Sequence, residues 1–184
     1  MNEHPNLGED LEYVRDLVER SRVRRIPALI HYFWALVVLV GFPLLDLRPQ
    51  VAGLYWVIAG PLGLILTLLL GRSHSRAAGQ VSRAHWRQYG LHWLGVMAAI
   101  FLSLLLVLSG TLEMMEAMPL IVLILALGYF MAGLYQVRAL LWIGLLLAFC
   151  YLAVIFIHGW VWTVVGVAFS GSLVATALIG VRRD

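Results

Sequence analysis

Apolar side chains fill the chain in six long runs, at about residues 28–45, 51–70, 90–108, 120–137, 139–157 and 161–181, with short polar or charged connectors between them. At a rise of about 1.5 Å per residue, each run is long enough to cross a hydrocarbon core of about 30 Å as an α-helix. The pattern predicts an all-α integral membrane protein with six transmembrane helices spanning residues 28–184. Ahead of them, residues 6–25 place Leu7, Leu11, Val14 and Val18 at the spacing of one helical face. Asn6 and Glu9 stand three apart, like a capping box. Acids gather at the start of this segment and Arg22, Arg24 and Arg25 at its end, as a helix dipole favours. Residues 1–27 are therefore expected to hold a cytoplasmic amphipathic helix on the membrane surface, its arginines against anionic head groups, with docking of a partner protein as the alternative. This opening is unlike the short basic start of a cleaved signal peptide, so the first span is expected to stay in the mature protein.

The runs also repeat. Residues 88–138 form one unit: an apolar helix that begins near Trp93, a short turn holding Glu113 and Glu116, and a second apolar helix that stops at Arg138. Trp34, Trp93 and Trp142 mark the start of each odd span, where tryptophan anchors at the membrane interface, and Arg72, Arg138 and Arg182 close each even one. The expected architecture is three consecutive antiparallel hairpins.

Charge gives the orientation. The chain has 13 basic residues, every one an arginine. All but Arg48 fall on one side of the six spans, which the positive-inside rule makes cytoplasmic, with both termini there. Arg72, Arg76, Arg83 and Arg87 share the connector of residues 71–89, which holds no acid, so membrane lipids with anionic head groups are its expected partners. No glycine-rich phosphate loop follows a strand, which argues against nucleotides and nucleic acid. Absence of lysine excludes a retinal or pyridoxal Schiff base and a phosphate-gripping P-loop lysine. Arginine in place of lysine also fits a GC-rich bacterial genome, and hence a location in the cell inner membrane. The mean hydropathy of +0.90 agrees with a bilayer protein.

Small residues line the even spans: Gly60 and Gly63 in the second, Gly128 and Ala132 in the fourth, and Gly166, Ser170, Ser172 and Thr176 in the sixth. Such residues let helix backbones approach closely, which makes these spans the expected inner contacts of the bundle; an outward stripe would instead make a homo-oligomer.

Three two-span units in a chain of this length resemble the bacterial acid-resistance membrane proteins of the HdeD-like type, which implies a stress-linked role. Leu11-Glu12-Tyr13-Val14-Arg15 followed by Val18-Glu19-Arg20-Ser21 is similar to the start of bacterial multi-span proteins that read L-x-Y-I-R and then M-E-R-S. Neither resemblance implies a catalytic site.

No ionisable residue is expected at mid-membrane depth, where each would mark a transport or proton path. His31 and His92 stand at similar depths near the cytoplasmic ends of the first and third spans. If the two rings converge, they form a ligand mouth or a pH sensor, since an unperturbed imidazole titrates at about pH 6.5. Two imidazoles also suit haem or, with a third ligand, a metal, but no third ligand stands at a fixed spacing, so no cofactor or metal is expected. The lone Cys150 sits in an apolar run and is read as a packed thiol. Ser170 and Ser172 lack a histidine at matching depth, which leaves no catalytic set. Two functions fit: a non-enzymatic membrane module, regulatory or scaffolding, that acts through lipid and protein partners, or a small channel or transporter for a neutral or weakly acidic solute.

Overall fold

A bilayer offers no water to the backbone, so an apolar run must pair its N–H and C=O groups internally, which an α-helix does. The computed structural model describes residues 28–77, 80–157 and 159–181. Outside that description lie residues 1–27 with the expected surface helix and its Arg22, Arg24 and Arg25, and the side chains of residues 72–86, Arg72, Arg76 and Arg83 among them. Among the described residues there is no strand, and six helical segments are long and apolar enough to cross a membrane. The first span combines α1 (Ala28–Gly41) and α2 (Pro43–Leu47). Then follow α3 (Pro49–Ala77), α4 (Gln80–Leu108), α5 (Met114–Tyr135), α6 (Arg138–Phe156) and α7 (Val161–Val181).

Four spans depart from the bounds of their apolar runs. The first span breaks at Phe42 because Pro43 has no N–H to give and its ring would press on the carbonyl four residues back. The fourth begins at Met114, several residues before its apolar run, because the Glu116 carboxylate accepts the backbone N–H of Glu113 at 2.9 Å and so caps the first turn. The second and third spans belong to helices of 29 residues each that continue past their apolar parts into the arginine-rich connector. Between α4 and α5 the chain turns at Gly110, which has a φ of +72°. There the N–H of Thr111 reaches the Leu106 carbonyl and that of Gly110 the Val107 carbonyl, the two bonds of a Schellman cap, for which glycine carries no Cβ penalty.

Each span touches the next along the chain, but the most extensive contacts join α5 to α6 and α1 to α7, across the boundaries of the expected hairpins. The first pair approaches closely because both helices offer glycine: a Cβ on Gly133 would overlap the backbone of Leu141, and one on Gly144 the backbone of Phe130. In the second pair, a Cβ on Gly166 would lie 2.7 Å from the Cβ of Phe42. Asp46 then locks the pair at the arginine-poor end, its carboxylate accepting the N–H and the hydroxyl of Thr163, both at 2.7 Å, in the first turn of α7. The fourth span is the most buried, whereas the second and third are the least. The core accordingly lies among α1, α5, α6 and α7, with Phe42, Met118, Leu147 and Val165 almost fully enclosed, and the second span stands at its edge.

Candidate functional site

Because the second and third spans pack loosely, they leave a cavity of about 420 Å³ between themselves and the core. Trp34, Val38 and Phe42 of the first span form one wall, Trp56, Gly60 and Pro61 of the second another, and Trp93, Ala98 and Leu104 of the third the one opposite. Tyr129, Leu140 and Phe169 reach its floor from the fourth, fifth and sixth. Gly60 has no other atom within 4 Å of where a Cβ would stand, so its missing side chain widens the space.

Polar groups collect at one end. His31, Thr67 and Tyr89 line the cavity within about a turn of the arginine-rich connector or the start of the first span, and the Trp34 indole donates to the Thr67 hydroxyl at 2.9 Å across the wall. The far end is formed by Phe42, Leu104, Leu108 and Met118, with the Trp56 indole at its edge. Among the described residues no hydrogen-bond acceptor reaches the buried Nε1 of Trp56.

An unbroken series of rings runs along the floor. Trp162 meets Phe42 at 6.1 Å between centroids, Phe42 meets Phe169 at 6.4 Å, and Phe169 meets Tyr129 at 5.5 Å. Tyr129 then meets Trp93 at 4.8 Å, and Trp93 meets His92 at 5.4 Å. Most of these contacts are edge-to-face, the arrangement ring quadrupoles prefer, and they tie four spans together through the bilayer.

His92 ends the series as a tie between the third and fourth spans. Its Nε2 donates to the carbonyl of Gly128 at 3.0 Å, and its Nδ1 is hydrogen-bonded to the Tyr135 hydroxyl. With both ring nitrogens engaged, neither is free to bind a metal. His31 is buried in the cavity wall instead, so the two histidines have different neighbours. Among the described residues no three His, Cys, Asp or Glu side chains come together as a metal group.

Compared with protein-family models, with curated proteins and with solved structures, the chain matches none.

The remaining residues singled out from sequence take varied places. Trp142 is 72% exposed, whereas Trp34 and Trp93 line the cavity. Arg87 is exposed. Gly63 lies under the Trp34 ring, Gly128 under Val96, and Ala132 is fully buried. Gly166 and Ser170 are buried, whereas Ser172 and Thr176 are half-buried and donate to carbonyls of their own helix, Phe169 and Ser172. Cys150 is buried. Trp56, Tyr129 and Phe169 are site residues that sequence reasoning did not find. Each is an aromatic ring within an apolar span, and one chain cannot show which face such a ring takes.

Proposed function

We propose that the protein is a non-enzymatic multi-pass module of a cell inner membrane, built of three two-span units, whose arginine-rich face is cytoplasmic and which acts through contacts with lipids and partner proteins. The observation that carries this reading is the cavity: a space of ligand size within the membrane, lined almost wholly by hydrocarbon and aromatic rings. Such a wall suits an apolar guest and stabilises no charge. The regulatory, stress-linked role implied by the HdeD-like resemblance is compatible with a module that reports on its lipid surroundings.

The second reading, a small channel or transporter, is favoured by the depth of the same cavity. Its lining argues against that use, because Phe42, Leu104, Leu108 and Met118 offer a permeating solute no hydrogen bond in the half away from His31. Protein purified in mild detergent and analysed for lipids, metals and absorbing cofactors tests the first reading, with reconstituted vesicles assayed for glycerol and acetic acid flux as the second arm. A stoichiometric lipid without flux is the expected result. Flux above that of empty vesicles, abolished by filling the cavity, would replace it with the transporter.

A further inference from the structure

The cavity has a polarity, and with it a preferred guest. We propose that it binds one hydrocarbon chain of an anionic single-chain amphiphile, the head at the end lined by His31, Thr67 and Tyr89 and the chain directed toward Phe42 and Met118. This inference rests on the lipid-binding reading above and adds the number of chains, the charge and the direction.

Volume admits a chain. Some 420 Å³ lies within the ~300–1,000 Å³ of pockets that take a single small-molecule ligand. Direction follows from where polar atoms lie: His31, Thr67 and Tyr89 line the end beside the connector, and the opposite end is hydrocarbon apart from the indole edge of Trp56. The charge of the head follows from the chain on either side. Residues 71–89, around the junction of the two helices flanking the cavity, carry four arginines and no acid, whereas the other end carries Asp46, Glu113 and Glu116 against the single Arg48. A negative head is attracted at the first end and repelled at the second. Access is lateral, because the second and third spans are the least buried and bound to the rest by few contacts, so a chain dissolved in the bilayer enters between them without crossing water. Once inside, it restores the dispersion contacts that an unfilled space of this size denies to the surrounding side chains.

The test uses the full chain in detergent. Lysophosphatidylglycerol, lysophosphatidylcholine and farnesyl phosphate are titrated against it, and the lipid that co-purifies is identified by mass spectrometry. The expected result is one lysophosphatidylglycerol per chain, bound at least tenfold more tightly than lysophosphatidylcholine; the relative affinity of farnesyl phosphate tells whether an acyl or a prenyl chain fits better. Gly60→Leu and Ala98→Phe, which fill the cavity from two walls, weaken binding at least tenfold while thermal unfolding stays within a few degrees of the parent. Gly171→Leu, which faces open space on α7, leaves binding unchanged. Replacing Arg72, Arg76, Arg83 and Arg87 together by glutamine removes the preference for the anionic head and keeps a bound chain. Equal affinity for the two lysolipids, or full binding by both cavity-filled variants, overturns the inference while leaving a lipid-binding module in place. A protein that carries no lipid and binds none of the three probes removes both.

Discussion

Asp46 shows how a single acid is kept near the end of an apolar bundle. Its carboxylate takes two hydrogen bonds from Thr163 at the positive end of α7, where an anion is stabilised by the helix dipole and by a backbone N–H that has no partner within its own helix. Asp46→Ala is expected to lower stability in detergent by about 1–2 kcal/mol, read as a reduced melting temperature, and Asp46→Asn to recover part of it because the amide oxygen still accepts. His92 makes the corresponding tie at the other end. His92→Phe strips Tyr135 and the Gly128 carbonyl of one partner each, at an expected cost of about 1–3 kcal/mol. Trp56→Phe is the contrasting case: it removes an indole N–H that makes no bond among the described residues and keeps a ring beside Phe42, so its melting temperature should equal or exceed the parent's.

Helix pairs differ in what they demand of their small residues. Gly133→Leu or Gly144→Leu would drive a side chain into the backbone of the facing helix, and overpacking of this kind costs about 3 kcal/mol or more; both variants should aggregate or be lost from the membrane fraction. Gly95→Leu, on an open face of α4, should express like the parent. The existence of six apolar helices was legible because lipid makes hydrophobic length nearly sufficient for a span. Their neighbours were not. Gly60 and Gly133 look alike in the chain, yet one borders empty space and the other a backbone, and only the rotation of each helix about its axis, set by many weak contacts at once, separates them. The cavity was hidden for the same reason. A Trp at residue 34 or 93 fits an interface anchor by depth, and nothing in the sequence says that it lines a cavity.

For the molecule as a whole, the asymmetry of arginine predicts which side each connector occupies. Reporter fusions at Asn6 and Asp184 should give a cytoplasmic signal and fusions at Glu113 and His158 the opposite one; a cytoplasmic signal at Glu113 would invert the arrangement.

The pairing of the first span with the last has a consequence for how the protein comes to exist. Asp46 and Thr163 are separated by 117 residues, and at about 5–20 residues per second a ribosome takes roughly 6–23 s to make that stretch. For that interval the first span waits in the bilayer with Phe42 and the Asp46 carboxylate lacking the partners that α7 supplies. The α5–α6 pair, joined by two residues, meets at once and offers a ready surface before the ring of helices shuts. A chain stopped after Ile157 should therefore still insert five spans and form that inner pair, yet be cleared by membrane proteases faster than the six-span chain in a pulse-chase measurement, because the segment that covers the first of the six spans is synthesised after the other five.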